Sequence, residues 1–159
     1  MKKIILAAGL IAMLSIHSTQ ATEYKTAFGV RGGFYSGLTL KHFISGMDAL
    51  EIVAATHYRG IILAGMYQRH AQAFDVPGLN WYFGGGGHLG FYDRSYSPWY
   101  GVNQTGNFST LGVIGVVGME YKIEEIPVTV GVDITPAFNL IGHTGFWINS
   151  GVVLRYTFN

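Results

Sequence analysis

From residue 22 onward, no stretch of this sequence stays apolar for the roughly 20 residues that a helix needs to cross a bilayer. Yet the chain carries too little charge to cover a globule in water. Asp, Glu, Lys and Arg make up 12% of it, about half the usual share, while aromatic residues reach 14% and glycines number 23. A chain too apolar for water and too interrupted for membrane helices has one spanning solution left, a closed β-barrel, because only closure satisfies every backbone group inside lipid. The expected fold is all-β, a single eight-stranded antiparallel up-and-down transmembrane β-barrel with a polar, plugged interior.

The first residues read as an export signal. Lys2 and Lys3 precede an apolar run from Ile4 to Ile16 that ends in Ser18-Thr19-Gln20-Ala21. The run is too short for a spanning helix, and Thr19 and Ala21 are small where a signal peptidase reads small residues. This predicts a cleavable signal peptide over 1–21 and a barrel domain over 22–159, with the bacterial outer membrane as destination. Two of the ten Lys and Arg residues lie in the leader, leaving eight against nine Asp and Glu. That balance offers no basic patch for nucleic acid. The absence of cysteine removes disulfides, thiolate metal sites and cysteine nucleophiles together.

Alternation of apolar and polar residues, cut by turn signals, divides the rest into eight segments: Tyr24 to Phe34, Leu38 to Ile44, Asp48 to Tyr58, Ile61 to Ala71, Leu79 to Tyr92, Phe108 to Lys122, Val128 to Asn139 and Phe146 to Phe158. Asp75-Val76-Pro77-Gly78 sets Pro before Gly, the order of a type II turn. One long connection runs from Asp93 to about Asn107. With the amino terminus in the periplasm, that connection falls outside the cell and the short turns inside, the habit of such barrels.

Every second residue builds one apolar face, including Phe28, Val30, Leu40, Ile52, Leu63, Phe83, Val117, Val132, Ile134 and Leu154. The opposite face carries Arg31, Lys41, Glu51, Gln68, His70, His88, Glu120, Asp133 and Arg155 among glycines such as Gly29, Gly84, Gly118 and Gly151. A soluble lipocalin-like carrier would point the apolar face inward. The charged face has too few charges for a water-covered surface, so it reads as a narrow lumen filled by side chains. Arg31, Lys41 and Arg155 then face Glu51, Glu120 and Asp133, and one ion-pair network is expected, since an unpaired buried charge is costly. A structural plug is favoured over a proton or solute relay. The aromatics near strand ends read as two girdles: Tyr24, Trp81, Tyr121, Tyr156 and Phe158 on one side, Phe34, Tyr58, Phe91, Tyr92, Phe138, Phe146 and Trp147 on the other.

Leu154-Arg155-Tyr156-Thr157-Phe158 resembles an outer-membrane insertion signal, although Asn159 follows the final aromatic residue. The stretches from Leu79 to Tyr92 and from Gly118 to Lys122, with Glu125-Ile126-Pro127, resemble a family of small, mostly uncharacterised outer-membrane barrels. The resemblance covers 22–159. It implies an OmpA/OmpX-type barrel fold, brings no established activity, and implies recognition of the last strand by the outer-membrane assembly machinery.

Candidate chemistry is sparse. His57, His70 and His88 share the inward face of successive strands but fall at different heights, so no metal site is expected, and His70 and His88 are assigned to lumen hydrogen bonding. A lipid-modifying enzyme of the lipid A acylation or deacylation type is the alternative function. The deacylase element His-x-Ser-Asn is missing, and the only adjacent His-Ser pair, His17-Ser18, lies in the leader. Gly84 to Gly87 is no phosphate loop, since neither Lys-Ser nor Lys-Thr follows. The expected protein is a monomeric, non-catalytic barrel without cofactor, in contact with outer-membrane lipid. Tyr96, Trp99 and Tyr100 of the long connection are the candidate contacts for an unidentified surface ligand.

Overall fold

The computed structural model describes residues 24–57, 60–93, 107–142 and 145–159. They form eight strands: β1 (Thr26–Gly33), β2 (Ser36–Phe43), β3 (Asp48–His57), β4 (Gly60–Gln72), β5 (Leu79–Asp93), β6 (Asn107–Ile123), β7 (Val128–Ile141) and β8 (Gly145–Phe158). Each strand pairs antiparallel with its sequence neighbours, and β8 returns to β1 over Thr26↔Phe158 to Gly33↔Gly151, closing the barrel. Closure leaves no sheet edge around the pairing circuit, which is what a chain lacking both surface charge and disulfides requires.

The start of the described residues and the end of β8 lie at one mouth, where Lys25 N donates to the Phe158 carbonyl. The connections there, 44–47, 73–78 and 124–127, are short, whereas the opposite mouth carries the long connection 94–106, which is outside the described residues. These two mouths are the terminal and the distal ends below. In the β4–β5 connection Leu79 N donates to Val76 O at 3.2 Å, with Gly78 at φ 77°, the type II turn expected from Pro77-Gly78. A second turn precedes it. Val76 N donates to Ala73 O at 3.1 Å, with Phe74 and Asp75 at φ 52° and 54°, a type I′ turn.

Burial alternates along most of the wall, as in the pattern BeBeBeBeBeB that opens β4, and breaks over the glycine run of β5. Outward side chains such as Phe28, Leu40, Ile52, Val117, Ile134 and Leu154 are exposed on the wall. Inward ones fill the lumen in three tiers. Tyr24, Ala27, Phe43 and Ala49 cap the terminal mouth. The charged residues follow, and beyond them the distal half is largely apolar, with Val53, Ala55, Ile62, Ala64, Met66, Ile114, Val116 and Ala137 in one cluster. The charged interior therefore occupies the terminal half of the lumen, and the distal half is a mainly apolar chamber set with neutral polar side chains, His88, Thr110, Thr135, Asn139 and Asn149.

So narrow a barrel needs inner-wall positions without side chains. A Cβ on Gly84 would lie 1.9 Å from the Tyr67 carbonyl oxygen on β4, against backbone that cannot move without opening the ladder. Gly84→Val is expected to prevent closure of β4 on β5, so that the unboiled protein no longer migrates as a compact species in detergent gels. Gly65→Val should leave that migration unchanged, because nothing lies within 4 Å of its added Cβ.

Candidate functional site

The lumen's polar tier draws on all eight strands: Arg31 from β1, Lys41 from β2, Glu51 from β3, Gln68 and His70 from β4, Tyr82 from β5, Glu120 from β6, Asp133 from β7 and Arg155 from β8. All of these side chains are buried. Alternation carries each to the inner face, and the register decides which of them meet. Lys41 stands directly across the β2–β3 ladder from Glu51, while Arg31 and Asp133, 102 residues apart, lie on the two strands that flank β8 and meet over its Gly151.

Arg155 is the hub. Its guanidinium pairs with Glu51 and, at 2.8 Å, with Glu120, while its Nε donates to Thr39 Oγ1 at 3.3 Å. Glu51 also accepts from Thr39 and Gln68, and Glu120 accepts from Tyr24 and from Lys41 Nζ at 3.2 Å. Lys41 also donates to His70 Nε2 at 3.2 Å; an ammonium can only donate, so that ring nitrogen is the acceptor. The ammonium sits 4.2 Å from the centroid of the Tyr82 ring, a cation–π contact, and His70 stacks on the same ring at 5.1 Å.

Tyr82 joins this cluster to a second. Its hydroxyl donates to Asp133 Oδ2 at 3.1 Å, and Asp133 is held in a two-pronged pair by Arg31, with Nη1 to Oδ2 at 2.5 Å. Gly118 and Gly151 make the space. A Cβ at Gly118 would lie 2.6 Å from Tyr82 Cζ, and one at Gly151 would lie 2.8 Å from an Arg31 guanidinium nitrogen. Three cations thus balance three carboxylates through direct pairs, the arrangement that makes burial of six charges tolerable.

The distal tier is polar only at a few points. His88 Nε2 bonds Asn139 Oδ1 at 2.9 Å, and the His88 ring packs edge-on against Trp147 at 5.5 Å. Trp147 Nε1 donates to the Tyr35 hydroxyl, forming an aromatic lid over the chamber with Tyr92 buried nearby. Tyr35→Phe removes the acceptor of a partly buried indole N–H and should cost about 0.5–1.5 kcal/mol, read as a lower unfolding midpoint with a shifted Trp147 emission.

Three girdle assignments are corrected by this geometry. Tyr24 and Tyr92 are buried on the lumen side, and Trp147 packs against the inner cluster instead of facing outward. Trp147 shares the parity of the inward Gly151, Val153 and Arg155, so counting along β8 places it inside despite its position near the strand end. The same count along β5, started from His88, finds Tyr82. His70 and His88 lie in different tiers, and no group of three metal-capable residues converges among the described residues. The His57 side chain and Tyr58, Tyr96, Trp99 and Tyr100 lie outside the described residues.

Fold and lumen together define a closed eight-stranded β-barrel of inverted polarity, apolar outside and charged within. No protein-family model matches the chain, and no curated protein does. Among solved structures it is similar to the N-terminal β-barrel domain of Pseudomonas aeruginosa OprF, with a TM-score of 0.68 and 14% sequence identity, over 84% of this chain and 96% of that one. The chain thus has the OmpA-type eight-stranded barrel fold.

Proposed function

We propose that this chain is an integral, non-catalytic protein of the bacterial outer membrane, with a structural or surface-interaction role exercised through its distal connections. The observation that carries the reading is the inversion of polarity. Phe28, Val30, Ile52, Val132, Ile134 and Leu154 are each about half exposed on the outer wall, while Arg31, Lys41, Glu51, Glu120, Asp133 and Arg155 are at most 5% exposed inside. A water-soluble ligand carrier requires the reverse. Lipid as the outer solvent accounts for both halves of the observation.

Orientation follows from loop length. Short turns at the terminal end suit the periplasm, and the connection 94–106, with Tyr96, Trp99 and Tyr100, suits the cell surface. Tyr156 and Phe158 alternate outward to the end of β8, in keeping with recognition of that strand by the assembly machinery. The capped terminal mouth, the ion-pair tier and the aromatic lid stand in series across the lumen, which argues against bulk conduction.

Separation of inner and outer membranes, gel mobility in detergent with and without boiling, and recording in planar bilayers test the reading together. The expected result is an outer-membrane protein whose unboiled form migrates faster and which gives no steady ionic current. A soluble periplasmic species without a mobility shift would overturn it.

A further inference from the structure

We propose that the membrane leaflet on the distal side is drawn down into a notch above the β1–β2 hairpin, where the uncharged, hydrogen-bonding part of lipid headgroups seats against the barrel. The proposal rests on the lipid-facing reading of the wall. β1 and β2 have 8 residues each. At a rise of about 3.4 Å per residue and a tilt of about 45° they climb about 19 Å, short of the apolar band of about 25 Å that such a barrel presents. β8 starts from the same rim, with Phe158 beside Thr26, yet it has 14 residues and runs on past the pair Gly33↔Gly151 through Ser150 to Gly145. That overhang is laddered to β7 on one side and to no residue of β1 on the other.

Side-chain polarity dips on the same flank. Ser36, Thr56 and Ser150 are exposed around the notch, with Thr56 Oγ1 donating to Ser36 O at 3.3 Å, and Gly32 and Gly33 add no side chain. β4 stands opposite β8 in the closed circuit, and at the matching level it exposes an apolar residue, Leu63. Leu63 is the tenth residue of β4 counted from Gln72, and Ser150 the ninth of β8 counted from Phe158. The aromatic girdle dips as well. Phe34, 61% exposed, follows directly on β1, whereas Phe91 across the barrel, 49% exposed, is the thirteenth residue of β5.

Acyl chains cannot complete such a rim. An open strand edge in hydrocarbon leaves backbone donors and acceptors unmet, whereas thinning a bilayer by a few ångströms is a modest deformation, so the polar layer comes down to the edge. The chemistry of the notch restricts what it takes. No Asp, Glu, Lys or Arg stands among residues 33–36, Thr56 and 145–150, so neither a phosphate nor an ammonium group finds a counter-charge there. Ester carbonyls and sugar or glycerol hydroxyls fit, because they exchange hydrogen bonds with neutral hydroxyls and with backbone groups. Behind the notch Trp147 Nε1 donates to the Tyr35 hydroxyl, so the seat is shallow and the chamber stays closed.

The chain has no cysteine, so single-cysteine variants of the full barrel each carry one nitroxide label. Labels at Ser150→Cys, Leu63→Cys and Val132→Cys, in vesicles of dioleoyl phosphatidylcholine, are compared for relaxation by dissolved oxygen, which enriches in hydrocarbon, and by a water-soluble nickel chelate. The expected result is a nickel-to-oxygen ratio several-fold higher at Ser150 than at Leu63, with Val132 shielded from nickel. Thr56→Cys gives the same reading from the other side of the notch if Ser150→Cys fails to fold. A label at Ser150 as shielded from nickel as the one at Leu63 overturns the notch alone. Shielding from both reagents means that a protein partner covers the edge, which overturns it too. Nickel reaching Val132 as well overturns the lipid-facing reading, and the proposal with it.

Discussion

Arg155→Met should lower the unfolding free energy of the barrel by about 3–5 kcal/mol, the range for breaking a buried ion pair from one side. Arg155 is 1% exposed and holds Glu51 and Glu120 together. Without it, those two carboxylates share one cation, Lys41, and one buried negative charge is left over. The methionine fills comparable volume, so the loss reports charge more than cavity. Arg155→Lys should recover only part of the stability, because one ammonium cannot reach two carboxylates on different strands as a planar fork does. Pairing Arg155→Met with Glu51→Gln restores the balance of charge, and the double variant should be more stable than the sum of the single losses requires, by about 0.5–3 kcal/mol. The measurement is equilibrium unfolding in urea from detergent or lipid, read by the gel-mobility shift. A loss below about 1 kcal/mol for Arg155→Met, the range of an exposed pair, would mean that water reaches the network and that the plug is open.

The strands were legible because two different solvents impose strict alternation on them. β4 runs Gly60–Gln72 where alternation marks Ile61 to Ala71, and β5 runs Leu79–Asp93 where it marks Leu79 to Tyr92. The lumen residues at Arg31, Lys41, Glu51, Glu120, Asp133 and Arg155 announce their face by charge alone. Which of them meet depends on stagger between strands, a property of closure that one strand's pattern does not contain: Arg31 stands opposite Gly37 and Val153 in its ladders yet reaches over Gly151 of β8 to bind Asp133 on β7. The distal chamber was hidden for a related reason. Val113-Ile114, Val116-Val117 and Ile61-Ile62-Leu63 are apolar on both faces, so no contrast marks the inner one, and parity has to be carried over from polar residues farther along the strand. Aromatics near strand ends suit either an interface or a lid, so position alone points Tyr92 and Trp147 to the girdle while their packing puts them on the lumen side. In the β4–β5 connection Pro77-Gly78 announces its turn, while Phe74 in a left-handed conformation breaks the residue preference of the type I′ turn that it opens and leaves no mark in the sequence.

Val132→Arg should cost about 2–4 kcal/mol in lipid vesicles if the outer wall stands in hydrocarbon. Val132 is 54% exposed on β7, between Met119 on β6 and Val152 on β8, well inside the apolar band. An arginine there has no charged partner on the wall, and its backbone already spends its hydrogen bonds on the two ladders. The guanidinium must then snorkel toward a headgroup layer or pull water after it, and either route carries the cost. Ile126→Arg, in the connection at the terminal end, should cost only about 0–1 kcal/mol, because its head emerges among headgroups at once. The difference between two apolar positions that are each about half exposed isolates depth from side-chain chemistry, which a single substitution cannot do. On a wall facing water both variants would be close to neutral, within the range of ordinary surface changes. Unfolding of the two variants from the same vesicles therefore separates the lipid-facing wall from a water-facing one: a gap of 2 kcal/mol or so locates Val132 in hydrocarbon, and equal, small effects would return the outer face to water.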